Sequence, residues 1–140
     1  MTSETARGTV HEWQRDHMGH INVRAYMEFF DAACWQFYAM LGLTPSLLRS
    51  GAVNLAAVQQ NIGYRKELYP GDTVAVRSGV LELREKVLRF RHELFNTETG
   101  VVCAVCDFTV VCLDSKTRKS RSFPPEVAAH AAALHWPATP

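Results

Sequence analysis

Two hydrophobic patterns divide the chain. From Val23 to Leu41 apolar residues run almost unbroken, and Arg24, Glu28 and Asp31 interrupt them at i, i+4 and i+7. On a helix that spacing gathers the three charges into one narrow stripe. Asn22 suits the N-cap of such a helix, and Gly42 with Pro45 beyond it supplies the stop. A helix this apolar around its circumference is expected to be enclosed on most sides. After it the period changes to two. In the run from Thr73 to Leu83, Val74, Val76, Ser78 and Val80 alternate with Ala75, Arg77, Gly79 and Leu81. In the run from Val87 to Asn96, Leu88, Phe90 and Leu94 oppose Arg89, Arg91 and Glu93. The run from Val101 to Leu113 puts Val102, Ala104, Cys106, Phe108 and Val110 on one face. These are strand patterns. A less regular run from Val53 to Tyr64 reads as a further strand, and the short run from Thr9 to Gln14 as a first one. The connections are turn-like: Pro70-Gly71-Asp72, Arg84-Glu85-Lys86 and Thr97-Glu98-Thr99-Gly100. An Ala-rich segment from Glu126 to His135 predicts a short terminal helix.

Alternation over consecutive runs joined by short turns predicts an antiparallel sheet with one wet face. The apolar face needs a cover, and the chain offers one long helix. The expected assembly is α+β, a five-stranded antiparallel sheet wrapped around that helix, as a single domain over residues 1–140.

Composition narrows the functional classes. With 47% hydrophobic and 21% charged residues the chain is expected to fold rather than stay disordered. A net charge of +1 gives no support for nucleic-acid binding. Arg24, Glu28 and Asp31 break the one stretch that approaches membrane-span length, and the first residues lack the apolar core of a secretory leader. A cytoplasmic protein with no membrane partner is expected. Cys34, Cys103, Cys106 and Cys112 suit small core hydrophobes better than a disulfide or zinc framework, because Cys103-Ala-Val-Cys106 has no second pair and lies in a strand. His17 and His20 have metal-like spacing but no evident third ligand, so neither metal nor cofactor is expected.

One strand, the loop Asp16-His17-Met18-Gly19-His20-Ile21-Asn22, a buried helix carrying Tyr26, and a strand meander with Pro70-Gly71-Asp72 resemble the hotdog-fold thioesterases, specifically the 4-hydroxybenzoyl-CoA thioesterase-like family. Tyr64-Arg65-Lys66-Glu67-Leu68 and His92-Glu93-Leu94 resemble its middle strands, and the likeness covers roughly Thr9 to Leu113. Some relatives carry a second histidine at the helix start, where this chain has Val23, while His20 follows the glycine directly. The resemblance implies hydrolysis of an acyl-CoA thioester, with Asp16 as the catalytic residue. It also implies at least a homodimer, with further pairing of dimers left open, and a site that takes residues from the partner's strand. Gln59 or Asn61 is then the candidate to meet the opposite Asp16.

The residue types fit that chemistry. Thioester hydrolysis needs a base or nucleophile and a stabiliser for the oxyanion. Asp16 supplies the first, as general base or as direct nucleophile. The helix N-terminus supplies unpaired N–H groups and a favourable dipole. Gly19 allows close backbone approach. His20, Asn22 and Tyr26 complete the candidate substrate-binding set. The competing readings are a dehydratase acting on an acyl thioester and a non-catalytic acyl-CoA-binding module.

Overall fold

The computed structural model describes residues 1–137. Five strands form one antiparallel sheet: β1 (Ser3–Thr9), β2 (Asn54–Tyr64), β3 (Thr73–Leu83), β4 (Val87–Asn96) and β5 (Val102–Leu113). Their spatial order is β1-β3-β4-β5-β2, so β1 and β2 are the edges. The long helix α1 (Val23–Met40) packs across the sheet, followed by the short α2 (Pro45–Ser50), with α3 (Glu126–Ala133) near the C-terminus. This is the expected α+β hotdog arrangement.

The first strand lies earlier than the pattern predicts. Ser3–Thr9 pairs with β3, whereas the segment read as a strand turns into a 3₁₀ turn over Glu12–Gln14. The Gln14 side chain accepts the His11 N–H at 2.8 Å and holds that turn closed. An edge strand gains its hydrogen bonds from one neighbour and needs little apolar surface. In β1 the buried side chain is Thr5, so no hydrophobic alternation marks it. Nor does the pattern show α2. Pro45 ends the reach of α1, but it also sits in the first turn of a helix capped by Thr44, a position proline favours.

α1 buries Ala25, Tyr26, Phe30, Ala33, Cys34 and Phe37. The expected enclosure is only half present. The helix packs mainly over β1, β3 and β4, and meets β2 through the Tyr26 and Tyr64 rings. Glu28, Asp31 and Ala32 therefore face outward, and Trp35 remains 53% exposed. The inner face of β2 is left correspondingly open, with Val58 and Tyr64 exposed.

The core centres on Phe90, whose ring stacks on Phe108 at 5.2 Å and meets Phe37 at 5.3 Å and His92 at 5.1 Å. His92, fully buried, belongs to a polar chain that crosses the core. Its Nδ1 is 2.5 Å from Ser78 Oγ, which is 2.7 Å from Thr5 Oγ1, while Nε2 is 3.3 Å from Cys34 Sγ. These contacts leave no buried side-chain polar atom unpaired among the described residues. All four cysteines are free and buried.

The C-terminal segment closes the far end of the sheet. Val80 exchanges backbone hydrogen bonds with Leu134 and Trp136, and the Trp136 ring lies over Arg91. A Cβ on Gly79 would stand 3.0 Å from the Trp136 ring and 3.1 Å from its backbone. Gly79→Ala is therefore expected to destabilise the fold by about 1–3 kcal/mol, the usual range for an overpacked site. Urea denaturation checks this, and an unchanged midpoint would show that the segment does not pack there.

Candidate active site

The loop between the 3₁₀ turn and α1 is built by its own backbone. Arg15 and Ile21 form an isolated antiparallel bridge that closes residues 16–20 into a tight loop. Asp16 donates its N–H to His20 O at 2.9 Å, and Gly19 donates back to Asp16 O at 3.2 Å. Gly19 has φ +88°, which a residue with a Cβ adopts only under strain. The loop is pinned to the sheet through Ile21 N–H to Leu68 O at 2.8 Å.

This geometry divides the Asp16 carboxylate into two unequal oxygens. Oδ1 accepts the Met18 N–H at 2.8 Å and is held in place. Oδ2 makes no hydrogen bond among the described residues and points toward His20, with Nδ1 at 3.6 Å. On the other side of the imidazole, Nε2 is 3.7 Å from Glu67 Oε1. Glu67 is held in turn by the Tyr69 hydroxyl, which donates to Oε2 at 2.8 Å. His20 thus stands between Asp16 and Glu67 at distances longer than hydrogen bonds, while its Nδ1 lies 3.3 Å from the Ile21 carbonyl oxygen.

A cleft of about 390 Å³ opens beside this line between α1 and the end of β2. Its walls are His20, Val23, Tyr26, Tyr64, Arg65 and Glu67, with Ile21 and Lys66. The Tyr26 and Tyr64 rings meet edge to face at 5.0 Å. Burial pushes the Tyr26 phenol up to about 12, and neighbouring groups that include Glu67 and Asp16 add to the shift. Its hydroxyl therefore stays protonated and serves as a donor.

The helix N-terminus is more selective than its sequence suggests. The Ile21 N–H is taken by Leu68 O, that of Asn22 by Gln14 O at 2.6 Å, and that of Arg24 by Asn22 Oδ1 at 2.8 Å. Among these four groups only the Val23 N–H has no partner within the described residues, and Val23 lines the cleft. Asn22 acts through its cap, fixing the direction of the first helical turn.

The structure brings Asp16, Gly19, His20, Asn22 and Tyr26 together. It does not bring Gln59 and Asn61 to them. Those two pair with Thr109 and Asp107 on the outer face of the sheet, where they share a shallow hollow with Arg89. A bulge between Ala57 and Gln59 shifts the register. Gln60, opposite the core residue Phe108, is the polar side chain of this stretch on the inner face. Glu67 lies in a stretch read only for its likeness to the family's middle strands, the Val23 N–H is one of several helix N-terminal groups expected there, and Gln60 has no motif signal in the sequence. His17 is exposed, and the described residues contain no group of three potential ligands placed to hold a metal ion.

A second, larger cleft of about 550 Å³ lies between α1, α2 and the start of β2, lined by Asp31, Cys34, Trp35, Tyr38, Leu48 and Leu55, among others. Cys34 lines it and stands at the spacing of a thiol–imidazole dyad from the fully buried His92, but their surroundings hold both neutral. Burial pushes the Cys34 thiol up to about 12 and the His92 imidazole down to about 3. Proton transfer between them is disfavoured, so the pair is structural.

The sequence profile of the thioesterase-like superfamily matches residues 10–131. A search of curated protein sequences gives no match. Among solved structures, the chain is similar to the hypothetical protein SAV2348 from Staphylococcus aureus in complex with CoA, at 20% identity and TM-score 0.88, covering 99% of this chain and 90% of that one. It is similar to Slr0204, a 1,4-dihydroxy-2-naphthoyl-CoA thioesterase from Synechocystis, at 17% identity and TM-score 0.82, covering 98% and 100%. The DHNA-CoA thioesterase from Staphylococcus aureus aligns at 18% identity and TM-score 0.81, covering 95% and 90%. At these identities the structural matches establish the fold.

Proposed function

The chain belongs to the thioesterase-like superfamily, and on that footing we propose that it is an acyl-CoA thioesterase, releasing a free acid and coenzyme A. The observation that carries this reading is the Asp16 carboxylate. One oxygen is fixed by the Met18 N–H and the other faces His20, which lines a cleft also lined by Val23 with its unpaired helical N–H. In this reading the thioester carbonyl oxygen points at the Val23 N–H, where the helix dipole adds to the stabilisation of the oxyanion. Asp16 Oδ2 either takes a proton from water as that water attacks the carbonyl carbon, or attacks it directly to form an acyl-aspartyl anhydride that water then hydrolyses, releasing the acid and restoring the carboxylate. The C–S bond breaks and the thiolate of coenzyme A leaves. His20 sits between two carboxylates and orients Asp16, while the Tyr26 hydroxyl donates to the substrate. No protein-bound metal or cofactor enters the scheme.

The reading includes a cytoplasmic homodimer. β2 is a long free edge whose inner face α1 covers only in part, and such an edge invites pairing. Gln60, rather than Gln59 or Asn61, is then the polar residue of β2 offered to a partner's cleft. No described helix is long and apolar enough to cross a membrane. The relative solved with CoA and the two named for aryl-CoA hydrolysis support acyl-CoA as the substrate class. Release of free thiol from a panel of aromatic, short-chain and medium-chain acyl-CoAs tests the proposal. Turnover of at least one thioester is expected. Thermal stabilisation by acyl-CoA with no thiol release would overturn it in favour of a binding module.

A further inference from the structure

Arg65 and Lys66 line the same cleft as His20, Val23 and Tyr26. They follow directly on the end of β2, and the backbone holds them there. The Arg65 and Lys66 N–H groups both donate to Cys103 O, at 2.8 and 3.1 Å. Two consecutive donors on one carbonyl oxygen fix this corner of the chain against β5. Both residues are exposed, and neither forms an ion pair among the described residues. The neighbouring carboxylates are engaged elsewhere. Glu67 takes the Tyr69 hydroxyl on Oε2 and turns Oε1 toward His20. Asp16 takes the Met18 N–H on Oδ1, and its Oδ2 also faces His20. The cleft wall therefore carries two uncompensated positive charges beside the helical N–H that receives the thioester carbonyl in the proposed reaction.

Length decides which anion these cations meet. In coenzyme A roughly thirteen bonds separate the thioester sulfur from the nearest phosphate, about 16 Å when extended. The cleft, at about 390 Å³, is only about 9 Å across if compact. With the carbonyl at the Val23 N–H, an extended arm carries its phosphates out of the cleft, whereas a short acyl group stays within it. The charge matched to Arg65 and Lys66 is then one on the acyl group itself. A carboxylate fits them: the planar fork of Arg65 takes both oxygens, and Lys66 adds a point charge. The Tyr26 and Tyr64 rings, edge to face at 5.0 Å, offer an apolar wall to the carbons between. We infer that the substrate is the thioester of a short dicarboxylic acid, whose free carboxylate is bound by Arg65 and Lys66. This rests on the proposed thioesterase function.

The test compares glutaryl-CoA with its ω-methyl ester, which keeps the carbon chain and loses the second charge. Both carry the same coenzyme A, so contacts to its phosphates cancel in the ratio of their kcat/KM values. The wild type is expected to favour glutaryl-CoA by about tenfold to a hundredfold, the range for hydrogen bonds to a charged group. In a variant combining Arg65→Gln and Lys66→Gln the ratio should fall toward one. The backbone N–H groups that hold the corner persist in that variant. Arg65→Lys, which keeps the charge and loses the fork, should fall between. A wild type that treats the two thioesters alike, or prefers the ester, would overturn the inference, and so would a preference that survives in the double variant. Equal losses on both thioesters would assign the cations to the leaving thiolate or to coenzyme A, and would overturn it too. If the wild type hydrolyses neither of these nor any neutral acyl-CoA, the thioesterase reading fails on its own. Calorimetry with the same two thioesters then decides the subsite: tighter binding of glutaryl-CoA that the double variant loses supports it, and equal binding overturns it.

Discussion

Asp16→Asn is expected to lower kcat by about a thousandfold, within the range that a positioned base or nucleophile contributes, while the protein stays folded. The asymmetry of the two carboxylate oxygens is the reason. An asparagine side-chain oxygen can still accept the Met18 N–H that Oδ1 accepts at 2.8 Å, so the loop keeps its shape. The other position becomes an amide, which neither takes a proton from water nor attacks a carbonyl. The carboxylate is largely shielded, with 21% of its side chain exposed, and it faces His20 and not an arginine or lysine. Its removal therefore breaks no close ion pair. Steady-state kinetics alongside a urea melt separates the two effects. A variant with near-normal turnover would remove Asp16 from the mechanism, whereas loss of folding would make it structural.

The second large effect concerns acid stability. His92 is fully buried among Phe30, Phe37, Phe90 and Phe108, and burial pushes its imidazole down to about 3. In the unfolded chain it titrates near its ordinary value of 6.5. Between those values the unfolded state binds a proton that the folded state refuses. Stability is therefore complete above about pH 6.5 and is lost as pH falls toward 3, with a slope from this one group approaching about 1.4 kcal/mol per pH unit. His92→Gln keeps a polar side chain near Ser78 and removes the titration. Urea denaturation at pH 7, 6, 5 and 4 should show the wild type losing stability more steeply than the variant over the lower part of that range. Parallel curves would mean that His92 does not titrate on unfolding as its burial requires.

The elements legible in the sequence are those whose burial is one-sided and regular. β3 and β4 were readable to the residue because Val74, Val76 and Val80 or Leu88, Phe90 and Leu94 repeat with period two. α1 was readable from its apolar run and its Asn22 cap. β1 was not, because an edge strand with Thr5 as its buried side chain leaves no hydrophobic trace. The same reasoning separates the parts of the site. Asp16 and Gly19 are legible through the family resemblance of their loop, and Asn22 through helix-capping rules. Glu67 reaches His20 from a distant turn, and the vacancy at the Val23 N–H exists only because Leu68, Gln14 and Asn22 consume its neighbours. Neither fact follows from local pattern. Gln59 and Asn61 show a third limit: one bulged residue exchanges the faces of a strand, so the face that each polar residue of β2 occupies cannot be counted off the sequence.

The central claim is that Asp16 and the Val23 N–H act on the same thioester carbonyl. It is tested most directly by a crystal structure with a carba analogue of acyl-CoA, in which a methylene replaces the sulfur and the carbonyl survives. The account predicts a carbonyl carbon about 3–3.5 Å from Asp16 Oδ2, or from a water held by it, with the carbonyl oxygen directed at the Val23 N–H. An analogue bound with its carbonyl away from both groups, and no water linking it to Asp16, would contradict it.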